Sequence, residues 1–94
     1  MIRIFEKELV QVISKLNSKD IHVEIDGIIH FNFNLYKVTA NYKRKNGKII
    51  FKDSITKEVF TLETETIYNI SQSEDNSILE FKFDNFLFVY LKTL

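Results

Sequence analysis

The apolar positions along the chain change period once. From Ile2 to Leu16 they recur at helical spacing: Ile2, Phe5, Leu9, Val12, Ile13 and Leu16 share one side, and Arg3, Glu6, Lys7, Gln11 and Lys15 lie mostly on the other. This predicts an amphipathic helix over residues 2–17, broken by Asn17-Ser18-Lys19-Asp20. Such a helix is too short to be stable alone, so its apolar stripe must dock on a sheet.

From Ile21 the period is two. Ile21, Val23 and Ile25 alternate with His22, Glu24 and Asp26; after Gly27, Ile29, Phe31 and Phe33 alternate with His30, Asn32 and Asn34. A three-residue loop, Ile25-Asp26-Gly27, keeps one face apolar by setting Val23 opposite Ile29 and Ile21 opposite Phe31. It also sets His22 opposite His30 on the outer face. The alternation slips by one at Leu35-Tyr36, which calls for a bulge, bend or loop. Asn46-Gly47 is the strongest turn signal in the chain; a two-residue hairpin there opposes Tyr42 with Phe51 and Arg44 with Ile49, leaving Lys43 and Ile50 outward. Residues 53–58 read as a loop or wide turn. Val59–Leu62 and Thr66–Ile70 read as weaker strands, and 71–76 as an exposed loop.

The last third, Ser77 to Lys92, reads as two apolar strands around Asp84-Asn85. A two-residue loop there opposes Phe83 with Phe86, Phe81 with Phe88 and Leu79 with Tyr90, making one aromatic face. That face is the expected dock for the helix. The other side would then carry Ile78, Leu87, Val89 and Leu91 outward with Glu80 and Lys82.

One helix followed by strands on short turns implies antiparallel pairing, because parallel crossovers need longer connections. The expectation is a single α+β domain over residues 1–94. Its N-terminal helix would pack on a strongly bent antiparallel sheet, or small half-barrel, of about six to eight strands.

Composition narrows the chemistry. The 94 residues include nine Phe and no Cys, so aromatics supply much of the core and neither disulfides nor thiolate metal sites are available. The N-terminal stretch has no continuous apolar core of a signal peptide, and no segment has the length of a membrane span. The expected location is cytoplasmic, with no membrane partner. A net charge of zero argues against a strongly basic nucleic-acid binder and against an acidic DNA mimic. Abundant Ile, Asn, Lys and Phe point to an AT-rich genome, such as that of a low-GC bacterium or its phage or plasmid.

Four groupings are candidates for function. His22 and His30, with Glu24 and Asp26 nearby, are weak metal-ligand candidates if they face each other. Lys37, Lys43, Arg44, Lys45, Lys48 and Lys52 cluster around the Asn46-Gly47 turn and suit a phosphate backbone. Residues 36–57 are mostly basic and 58–85 mostly acidic, which suits pairing across strands. Ile50, Ile78, Leu87, Val89 and Leu91 form an apolar outer patch of the kind that marks a protein interface. With only two glycines, both in turns, there is no phosphate-binding loop. No nucleophile motif or buried carboxylate pair stands out, so no catalytic residue and no cofactor is assigned.

The expected function is therefore a small, non-enzymatic, intracellular protein-binding domain. Its partner would be another protein or a second copy of itself. Its size and composition suit a mobile-element accessory protein that inhibits a host defence protein. The alternatives are a nucleic-acid-binding module using the basic hairpin, and a metal site at His22 and His30.

Overall fold

The computed structural model describes residues 1–84 and 86–94. These form an α+β fold of nine strands and one α-helix: β1 (Ile2–Arg3), α1 (Glu6–Ser14), β2 (Ile21–Asp26), β3 (His30–Leu35), β4 (Thr39–Lys43), β5 (Lys48–Lys52), β6 (Val59–Glu63), β7 (Ile67–Gln72), β8 (Ile78–Phe83) and β9 (Phe88–Thr93). All pairings are antiparallel. Six strands make one sheet in the order β1-β7-β8-β9-β2-β3, and β4-β5-β6 make a second. The strands thus divide between two sheets, with no closed barrel.

The helix is shorter than its periodicity implies. Ile2 and Arg3 pair with Gln72 and Ser71 of β7, and Phe5 is extended at the N-cap. The sheet takes the chain before the helix can start. Glu8 then reaches back to accept the Phe5 N–H at 3.3 Å, which satisfies one of the orphan donors of the first turn. Leu9 and Ile13 are buried, and the helix lies chiefly against β4 and not on the C-terminal hairpin. Side chains following the helix fix that position. Asn17 Oδ1 accepts the Ala40 N–H at 2.7 Å, and Val38 exchanges backbone bonds with Ser18 and Lys19.

Each predicted hairpin forms, with a different register. In β2–β3, Val23 faces Phe33 and Ile21 faces Leu35, so the loop is Gly27 to Ile29 and six residues pair on each strand. In β4–β5, Tyr42 faces Ile49 and Ala40 faces Phe51. The turn is longer than two residues because Arg44–Asn46 form a 3-10 turn, closed by Gly47 at φ 63° in the left-handed region that glycine tolerates. In β8–β9, Leu79 faces Leu91, Phe81 faces Val89 and Glu80 faces Tyr90. The Phe83 N–H bonds to Leu87 O at 2.8 Å, so Phe83 does not pair with Phe86. The expected two-residue loop includes Asn85, which lies outside the described residues.

That last shift is by one residue, and it exchanges the faces of β9. Val89 and Leu91, expected outside, are 2% and 1% exposed in the core, and Leu87 packs against it. Phe88 and Tyr90 turn outward instead. The gain is physical. Aliphatic side chains lose little by complete burial, whereas a tyrosine hydroxyl needs water or a partner. The core between the two sheets and the helix gathers Leu9, Ile13, Ile21, Val23, Leu35, Ile49, Phe51 and Phe81 with them. Phe33 and Phe60 bridge the sheets edge to face at 5.3 Å.

The expected break at Leu35-Tyr36 is where the chain leaves the first sheet for the second. Asp53 holds this crossover. It is 1% exposed; its Oδ2 accepts the Tyr36 N–H at 2.9 Å, and its Oδ1 accepts the N–H groups of Ile55 and Thr56 at 2.7 and 2.9 Å. Ser54 adds a backbone bond to Tyr36 O and a hydroxyl bond to Lys37 O. Between 71 and 76 the exposed loop is shorter than expected, because β7 runs to Gln72 and Ser71 is buried.

Candidate functional site

The three-stranded sheet turns Ala40, Tyr42, Ile49, Phe51, Phe60 and Leu62 inward. Period-two geometry then fixes its outer face as three rows across the strands: Thr39–Lys52–Val59, Asn41–Ile50–Thr61 and Lys43–Lys48–Glu63. Ile50 is the central position and is half-buried, while its eight neighbours in this grid are exposed; Val59 is 59% exposed. Lys43 stands directly across from Lys48. Like charges in that position destabilise a strand pair, and only Glu63, on the far side of Lys48, offsets them. None of the ion pairs among the described residues involves Lys43, Lys45, Lys48 or Lys52.

The six basic candidates therefore separate. Lys43, Lys48 and Lys52 share the outer face, and Lys45 stands in the adjoining 3-10 turn. Arg44 is drawn the other way, to Glu6 at the start of the helix at 3.4 Å. Lys37 lies in the crossover, where its backbone N–H donates to Asp20 at 2.9 Å. Glu63 and Glu65 line the same shallow cleft at the tip as Lys45 and Lys48, without closing an ion pair. The aromatics near this segment do not join the lysines. Tyr42 faces inward, where burial and the Glu6 carboxylate push its phenol up, and the Tyr36 hydroxyl accepts from Asn34 at 3.2 Å.

The outer face of the six-stranded sheet is built differently. Its rows run Ile78–Lys92–His22–Asn34, Glu80–Tyr90–Glu24–Asn32 and Lys82–Phe88–Asp26–His30. Most groups here are partnered. Lys92 donates to Glu24 at 2.8 Å, and this bond holds the Glu24 carboxyl below its ordinary range. His22 contacts Asn34 at 2.6 Å and Glu24 at 3.6 Å, and His30 contacts Asp26 at 3.4 Å. Phe88 and Tyr90 stack at 6.2 Å, and Lys82 lies over the rings of Tyr68 and Phe88.

This register separates the two histidines. His22 faces Asn34, four residues along β3 from His30, or roughly 13 Å. Among the described residues no group of three or more metal-ligating side chains lies together. Of the five expected interface residues, Ile50 and Ile78 are on outer faces, while Val89 and Leu91 belong to the core and Leu87 packs against it. Sequence reasoning passed over Asp53. An Asp followed two and three residues later by N–H groups it can accept is the available signal for its turn.

A cleft of about 200 Å³ beside the helix is lined by Glu6, Leu9, Tyr42, Thr64, Ile67 and Ile70. It brings together one carboxylate and one phenol. No helix among the described residues is long and apolar enough to cross a membrane. No known family model, curated protein or solved structure matches this chain.

Proposed function

We propose that this chain is a non-enzymatic protein-binding module that docks an acidic partner surface on the outer face of β4–β5–β6. The observation that carries the reading is the arrangement around Ile50. An apolar centre with unpaired cations around it has the layout of an interface, where a desolvated anchor supplies affinity and rim charges supply orientation and speed. The Lys43–Lys48 juxtaposition gives independent support. It costs the isolated sheet stability, and a carboxylate on a partner would turn that cost into attraction.

A protein suits this face better than a nucleic acid. Ile50 and Val59 offer nothing to a phosphate backbone, no aromatic ring stands among the lysines for bases to stack on, and Glu63 and Glu65 repel phosphates at the tip.

The test is fluorescence anisotropy with two labelled probes: a peptide alternating Glu and Leu, and a single-stranded oligonucleotide of similar charge. The expected result is salt-sensitive binding of the peptide that weakens about tenfold or more in Lys48→Glu and in Ile50→Asp. Tighter binding of the oligonucleotide, lost in Lys43→Glu but not in Ile50→Asp, would replace the protein partner with nucleic acid. Equal binding by wild type and both variants would overturn the site.

A further inference from the structure

β3 is an edge of the six-stranded sheet, and it lacks the devices that usually guard one. Its six residues, His30-Phe31-Asn32-Phe33-Asn34-Leu35, contain no lysine, no proline and no bulge, and its ladder to β2 is unbroken. Among the described residues no backbone hydrogen bond leaves β3 on the side away from β2. Phe31 is 48% exposed on the inward-facing row, and Ile29, just before the strand, is 71% exposed. The opposite edge of the same sheet, β1, is only two residues long. By contrast, β4, an edge of the second sheet, is covered by the segment after the helix through Asn17.

We infer that β3 pairs with β3 of a second copy of this chain, antiparallel about a two-fold axis at Asn32, to join two six-stranded sheets into one. The strand's own sequence selects both the partner and the register. With Asn32 opposite its mate, Phe31 faces Phe33 twice by symmetry on the core side, and Leu35 comes level with Ile29 of the partner's preceding loop. His30 faces Asn34 on the outer side. Moving the axis to Phe33 sets His30 against Tyr36, whose N–H and carbonyl are already taken by Asp53 and Ser54 where the chain leaves the sheet; moving it to Phe31 sets Leu35 against Gly27 and loses an apolar pair. The strand has no formal charge besides the histidine, so its self-pairing meets no like-charge penalty. A two-fold contact closes on itself, which explains how an unguarded edge avoids open-ended growth. The dimer uses no residue of the face around Ile50, so it would present that face twice.

The absence of cysteine makes the test direct. Asn32 is exposed on the outer face, so Asn32→Cys and Asn32→Lys leave the core untouched. In the expected dimer, oxidised Asn32→Cys forms an intermolecular disulfide. Asn34→Cys does not, because its own mate stands roughly 13 Å away. Sedimentation velocity from micromolar to millimolar protein should show a concentration-dependent dimer in wild type and a monomer in Asn32→Lys, with unchanged circular dichroism. A wild-type monomer throughout, equal crosslinking by both cysteine variants, or a dimer that survives Asn32→Lys would overturn the inference.

Discussion

Both outer sheet faces carry lysines, but the larger supplies acids and aromatic rings to receive them and the smaller supplies one acid, Glu63. On the six-stranded sheet, Lys92 answers Glu24, His30 answers Asp26, and Lys82 sits over two aromatic rings. On the three-stranded sheet, Lys43 is set against Lys48, and Lys52 and Lys45 make no ion pair among the described residues. The first face spends its charges within the molecule. The second leaves them unspent around an aliphatic centre. Only Glu63, across from Lys48 on the other side, offsets the Lys43–Lys48 repulsion, and the contrast between the two faces is what motivates the proposed binding surface on the smaller sheet.

The comparison breaks first at its foundation, the β8–β9 register. Leu91→Asp places an unpaired charge in the core and should cost more than about 3–5 kcal/mol, leaving little folded protein. Tyr90→Lys, one residue away but outward and between Glu80 and Glu24, should cost less than about 1.5 kcal/mol in urea denaturation. The reverse order would exchange the two faces and remove the basis for choosing between them.

Ile50→Asp should lower affinity for an acidic peptide about tenfold or more while costing the fold about 1 kcal/mol. Lys43→Glu sharpens the contrast, because stability and binding should move in opposite directions. Removing the repulsion from Lys48 should stabilise the protein by about 0.2–1 kcal/mol while weakening the peptide complex. On the other face, Lys92→Met should destabilise by about 0.5–1 kcal/mol, leave binding unchanged and let Glu24 titrate nearer its ordinary value by NMR.

The smallest effect concerns acid. Asp75 accepts the hydroxyl of Ser77, the hydroxyl of Ser73 and the Ser77 N–H, which together bring its carboxyl from 3.8 down to about 2. Folding therefore favours its ionised form. Its contribution is fully present above the unfolded value and is lost as pH falls through the folded one. Glu24 and Asp53 shift in the same direction, the first through Lys92 and the second through backbone N–H groups from Thr56 and Tyr36. Stability measured by urea should fall below about pH 4, and Asp75→Asn should flatten that slope.

The alternation of residues 21–34 and 38–52 was enough to place the side chains within β2, β3, β4 and β5 on their correct faces, although the turns were misjudged and Ile29 and Arg44, expected on the inner face, are exposed in them. The β2–β3 and β4–β5 ladders differ from expectation by an even number of residues, and an even shift preserves the faces. Lys43, Lys48, Ile50 and Lys52 were legible for that reason. His22 and His30 kept their face but lost each other, because pairing depends on the whole register. The stretch Phe86 to Leu91 is apolar at every position, so nothing in its pattern specifies which half faces in. There an odd shift moved Val89 and Leu91 from the surface to the core and packed Leu87 against it. The clamp at Asp53 was hidden because its partners lie 17 residues away at Tyr36 as well as next door. The helix start was hidden because Ile2 fits a helical stripe as well as a strand paired with β7.

The most direct measurement is a backbone amide chemical-shift map of the labelled protein titrated with the alternating Glu-Leu peptide. The expected map centres on Lys43, Lys48, Ile50, Lys52 and Thr61, and leaves Lys82, Phe88 and Tyr90 unmoved. A map centred on Phe88 and Tyr90, or no shifts at any salt concentration, would contradict the assignment of the smaller sheet's outer face as the binding surface.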